Sequence, residues 1–178
     1  MNELQWVDEL YRAFCQTLPG MLHAEAQGLP RTLGLAPRRD VPWSAVFSHS
    51  ITLAAPAMLA EAMPSVRGTT VQDALLAHML AVIDAFGTDR LADGQVRATW
   101  QLETLLAHVR RARDAAMERL RAAAPGPGPE PSFAAADEVV ARAIDAEHHL
   151  LRSGEPVDVV RYRALSRDKQ RLGVPASL

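Results

Sequence analysis

The chain has 178 residues, enough for one domain of ordinary size that buries most of its apolar surface without disulfide staples. Its 19 Lys and Arg against 21 Asp and Glu leave a formal net charge of -2, which offers no field for recruiting nucleic acid or an anionic membrane. The lone Cys15 excludes an intrachain disulfide and fits a cytoplasmic setting; the acidic opening is unlike a secretory signal, and no apolar run reaches the roughly 18 to 20 residues of a membrane span.

Ala, Leu and Arg dominate while β-branched and aromatic residues are sparse, a composition that favours helix because these side chains lose little rotamer freedom there. The expected fold is all-α: one domain over 1–178, a bundle of about six helices. The first helix runs from Glu3 to Leu18, with Leu4, Val7, Leu10, Tyr11 and Phe14 at helical spacing, and stops at Pro19-Gly20. A Gly- and Pro-rich loop follows from Gln27 to Pro42, carrying Arg31, Arg38 and Arg39. Ser44 caps a second helix to Met63 that Pro56 kinks. Thr69 or Thr70 opens a third, central helix with Val71, Leu75, Met79, Val82 and Phe86 as its inner stripe. A fourth helix, Gln95 to Ala123, turns Leu102, Leu105, Leu106, Val109, Ala116, Met117 and Leu120 inward. The Pro/Gly-rich connector over 124–132 cannot be helical; Ser132 then caps a fifth helix to Arg152, and a sixth begins at Pro156 and reaches about Leu172.

The chemistry-bearing segment is Asp84-Ala-Phe-Gly-Thr-Asp-Arg-Leu-Ala-Asp93. At 100° per residue, Asp89 and Asp93 continue the inner stripe, whereas Asp84 falls with Asp73 on the opposite, wetter side. Inward carboxylates are costly unless paired or bound to a cation, and Mg²⁺ takes one or two carboxylates together with water and phosphate oxygens. The competing reading ends or bends the helix at Gly87 and leaves Asp89 and Asp93 as solvated residues, with Asp93-Gly94 forming a turn.

The segment from Ala81 to Asp93 resembles the first aspartate-rich helix of class I isoprenoid synthases of the polyprenyl and squalene/phytoene type, with Asp89-x-x-x-Asp93 as the matching pair. Arg38-Arg39 and the helix from Ala54 to Met63 are similar to the basic loop and Leu/Ala-rich helix upstream of that motif. The stretch Tyr162-Arg-Ala-Leu-Ser-Arg-Asp-Lys169 resembles the later helix that carries a diphosphate-contacting lysine. The resemblance implies an isoprenoid-synthase-like fold and a prenyl diphosphate-utilising transferase or synthase, with Mg²⁺ on Asp89 and Asp93. It also implies diphosphate contacts from Arg38, Arg39, Arg161 and Lys169, and a cavity lined by Phe47, Ile51, Met79, Val82 and Phe86. The motif departs from the family in lacking adjacent aspartates, and the family's second acidic helix would fall after Lys169, only nine residues before Leu178. The expectation is therefore a partial or truncated member, and the alternative is a non-catalytic helical protein that associates with itself or with a partner chain.

Other chemistries find little footing. Glu-x-x-His pairs on two helices, as a di-iron site requires, are missing; Asp145-x-x-His148 is a single instance, and His148-His149 beside Glu147 reads as a surface cluster. Glu147 projects onto the apolar side of the fifth helix and calls for a basic partner such as an arginine, while Arg161 and Asp168 project into the interior of the sixth. The arginines of the fourth helix alternate with Asp114 and Glu118 as on an exposed helix. There is no phosphate-binding glycine loop, zinc-type cysteine pair or nucleophile elbow.

Overall fold

The computed structural model describes residues 4–48, 58, 61–62, 68–123, 130–154, 156 and 158–169. Every regular element among them is a helix, as the composition predicts. They are α1 (Gln5–Gln16), α2 (Gly20–Gln27), α3 (Leu29–Thr32), α4 (Trp43–Val46), α5 (Gly68–Ala92), α6 (Trp100–Ala123), α7 (Glu130–Ser153) and α8 (Val159–Lys169).

The amino-terminal helices form by the expected stripe, with Val7, Tyr11 and Phe14 buried on α1. The residues after Pro19, to which the sequence pattern assigns no helix, nevertheless form α2, and the stretch expected to be loop opens with α3. The prolines explain why: Pro19 immediately precedes α2 and Pro30 sits in the first turn of α3, positions where a missing amide costs nothing because that donor has no helical partner. Tyr11 ties the first two helices together by donating its hydroxyl to Ala26 O at 2.8 Å. A run of aromatic contacts then continues from Tyr11 to Trp43, Phe47 and Phe86, with centroids 5.7, 5.5 and 5.6 Å apart, joining α1, α4 and α5.

Ser44 does not cap the second helix. Pro42 precedes α4, and Ser44 is buried, donating its amide to Asp8 Oδ1 at 3.0 Å and its hydroxyl to Asp8 Oδ2. Most of the expected helix beyond it, with Ile51 and the Pro56 kink, lies outside the described residues.

The central pair is α5 against α6, as the long amphipathic pattern of α6 predicts: Leu102, Leu105, Leu106, Val109, Ala116 and Met117 are all buried. α6 begins later than its sequence pattern suggests, and Thr99 Oγ1 accepts the Leu102 amide at 3.2 Å to cap it. The middle of α5 is buried all round, from Ala77 to Asp84, so it has no single inner stripe; Phe86 is partly exposed while Ala77 and Leu80 are fully enclosed. Asp84 is the main correction. It is buried, 3.0 Å from Arg110 and 3.5 Å from Arg113 of α6, because the side assigned to water is the side that meets α6. Asp73 lies on the same interface and pairs with Arg119 at 2.7 Å.

α7 and α8 pack against one another. The buried side of α7 is Val140, Ala143, Glu147 and Leu150, so Leu151, expected inside, is exposed. α8 has no fully buried residue: Arg161, expected inside, is exposed, while Asp168 and Lys169 are half-buried.

Candidate metal site

The site forms where the carboxy-terminal end of α5 meets α7 and the last residue of α8. Helix α5 passes Gly87 without a break, and the missing side chain lets α6 come close: a Cβ would lie 2.6 Å from Leu106 Cδ2. Asp89 therefore stays on the helix. Termination comes at Gly94, whose φ of 66° lets the Gln95 amide reach back to Arg90 O at 2.9 Å in a Schellman-type closure. Asp93 sits in this turn, its amide still bonded to Asp89 O at 2.9 Å. Both halves of the sequence reading thus hold in part: the helix is unbroken at Gly87, and Asp93-Gly94 is a turn.

Asp89 and Asp93 are half-shielded, with side chains 32% and 28% exposed. Two groups from the carboxy-terminal helices reach them, Lys169 and His148. Lys169 Nζ lies 3.1 Å from Asp89 Oδ1 and 2.5 Å from Glu147 Oε2, so the partner that buried Glu147 demands is a lysine rather than an arginine. Partial burial pulls the Lys169 pKa down, but the hydrogen bonds to Glu147 and Asp89 outweigh it and hold the ammonium above the ordinary lysine value. His148 Nε2 stands 2.9 Å from Asp93 Oδ1 without hydrogen-bond alignment, and this nitrogen, shielded from solvent, has no hydrogen-bond partner among the described residues. The other Asp93 oxygen accepts from Gln95 Nε2 at 3.1 Å.

One ligand atom each from Asp89, Asp93 and His148 falls within 4.8 Å of the others. Around an ion with bonds of about 2.0 to 2.2 Å, ligand atoms sit about 3 to 4.3 Å apart, so a pair of these atoms as far apart as 4.8 Å closes by roughly 0.5 to 1.8 Å to share one. Three carboxylates against one ammonium leave the cluster with two negative charges when His148 is neutral, matching a divalent cation.

Of the residues the sequence singled out, the structure brings together Asp89, Asp93 and Lys169, which span 80 positions of the chain. It does not bring Arg38, Arg39 or Arg161 to them. Arg38 is exposed and pairs with Asp40 at 3.3 Å. Arg39 crosses Gly28 and lines a separate cleft of about 470 Å³ with Tyr11, Arg12, Cys15, His23 and Trp43. Phe47, Met79 and Val82, expected to line a cavity, are packed core. His148 is the residue that sequence reasoning set aside. Its signal was Asp145-x-x-His148, beside a Glu147 whose apolar surroundings turn that part of α7 toward the protein.

No helix among the described residues is long and apolar enough to cross a membrane. No family model, no curated protein and no solved structure matches this chain.

Proposed function

We propose that this chain is a class I isoprenoid-synthase-like protein that binds a divalent cation between Asp89 and Asp93 and, through it, the diphosphate of a prenyl ligand. The observation that carries the reading is the convergence of Asp89, Asp93 and Lys169, two acids and one ammonium drawn from helices far apart in sequence. The resemblance implies Mg²⁺ as the ion; a cation there neutralises charge on the diphosphate and its leaving oxygens. Lys169 supplies a further positive donor beside it, kept in place by Glu147. The prenyl tail does not lie among Phe47, Met79 and Val82, which fill the core.

Isothermal titration of Mg²⁺ with a prenyl diphosphate tests this reading. Wild type binds the diphosphate only in the presence of the cation, and Asp89→Asn and Asp93→Asn each weaken that binding by about tenfold or more. Absence of cation-dependent binding in wild type removes the proposal.

A second reading, a non-catalytic helical protein that associates with another copy or a partner chain, draws on α8. That helix has no fully buried residue and exposes Val159, Val160 and Tyr162.

A further inference from the structure

We propose that His148 is the third protein ligand of the Asp89 and Asp93 site, and that the site consequently selects a borderline transition ion of the Zn²⁺ or Co²⁺ kind over Mg²⁺. The inference rests on the reading that these two aspartates hold a cation, and it names which cation the donor set favours.

Three observations carry it. The first is the donor set itself: one imidazole and two carboxylates, with one atom from each inside 4.8 Å. Imidazole nitrogen suits Zn²⁺, Co²⁺ and related ions, whereas Mg²⁺ is served by oxygen donors. The second is the state of His148 Nε2. It is hidden from solvent, lies 2.9 Å from Asp93 Oδ1, and makes no hydrogen bond among the described residues. A shielded ring nitrogen held beside a carboxylate oxygen without an aligned hydrogen bond is placed as a second ligand atom would be. The third is that the surrounding contacts already orient the donors. Gln95 holds the second oxygen of Asp93, Lys169 holds Oδ1 of Asp89, and Glu147 anchors Lys169 from the residue next to His148.

The Lys169 ammonium lies beside the ion's position and competes with it for Asp89. On loading, Asp89 Oδ1 passes from the ammonium to the ion while Glu147 retains Lys169. The ion thereby joins the end of α5 directly to α7.

The test uses the full chain stripped of metal by chelator. Co²⁺ is titrated by its visible absorption, Zn²⁺ by competition with a chromophoric chelator, and Mg²⁺ by calorimetry, with circular dichroism confirming that each variant is folded. Wild type is expected to bind one equivalent of Zn²⁺ or Co²⁺ on the order of 100-fold more tightly than Mg²⁺. His148→Gln is expected to lose that preference, and His149→Gln, an exposed neighbour, to retain it.

Mg²⁺ binding as tight as Zn²⁺ binding and indifferent to His148→Gln overturns the inference while leaving the Asp89 and Asp93 reading in place. Zn²⁺ binding that survives His148→Gln, or that falls equally with His149→Gln, overturns it as well. Failure of wild type to bind any of the three ions takes down both. Tight, His148-dependent Zn²⁺ binding without any diphosphate binding upholds the inference and removes the diphosphate part of the reading.

Discussion

Asp84 shows what a buried charge costs even with good partners. Its side chain is 11% exposed and lies 3.0 Å from Arg110 and 3.5 Å from Arg113. Burial still outweighs the two guanidinium groups and pushes its pKa above the ordinary aspartate value. A carboxyl with a raised folded-state pKa binds its proton more tightly folded than unfolded, so its contribution is complete below the unfolded value and is lost as pH rises through the folded one. Wild type should therefore gain stability relative to Asp84→Asn as pH falls from the folded pKa toward 3.8, with a slope no steeper than about 1.4 kcal/mol per pH unit. Urea unfolding of the two proteins across pH 6 to 3.5 reads this, and a difference that stays flat or shrinks toward acid contradicts it. Projection placed Asp84 in water because a helical wheel assumes one inner side, and α5 is enclosed all round at that level. The same projection is more useful at Glu147, where a carboxylate on an apolar stripe correctly called for a basic partner, although only the fold could nominate Lys169.

At the scale of the element, the α5 and α6 contact depends on the missing side chain of Gly87. Replacing a helix-interior glycine by alanine ordinarily stabilises by about 1 kcal/mol. Here the added Cβ meets Leu106 Cδ2 at 2.6 Å and Cδ1 at 3.0 Å, and Leu106 is 1% exposed, so its isobutyl end must shift against packed neighbours. Overpacking of that kind costs about 1 to 3 kcal/mol, so Gly87→Ala should be destabilising by about 1 kcal/mol net, seen as a lower denaturation midpoint with an unchanged slope. A stabilised variant would mean that the two helices are not in such close contact. Periodicity made α1 and α6 legible, since each keeps a continuous apolar stripe. It missed α2 and α3 because Pro19, Gly20 and Pro30 read as breakers, although a proline that precedes or opens a helix leaves its hydrogen-bond ladder intact. The site was legible through the Asp89 and Asp93 pair and, by the resemblance, through Lys169; His148 comes from α7, and the crossing that brings α7 and α8 to Asp93 and Asp89 has no local sequence signal.

Across the molecule, polar contacts at one end join α7 and α8 to the end of α5. Lys169 reaches Asp89, His148 reaches Asp93, and Arg152 donates to Ala92 O at 3.5 Å. The same carboxy-terminal helices present Leu151, Val159, Val160 and Tyr162 to solvent, at 58%, 60%, 76% and 40% exposure. An apolar group as open as Val160, on a helix with no fully buried residue, gains by being covered between chains. Self-association through this face makes a clear prediction for sedimentation velocity. Wild type should sediment as a dimer or larger species at tens of micromolar, and Val160→Asp should shift it toward monomer by placing a desolvated charge in the interface. Because Val160 is so exposed, the substitution should change the stability of the isolated fold by no more than about 0.5 kcal/mol, which a thermal melt at low concentration checks. A wild type that is monomeric throughout that range sinks the self-association reading, whereas the cation site, formed by side chains of a single chain, stands or falls by its own titrations.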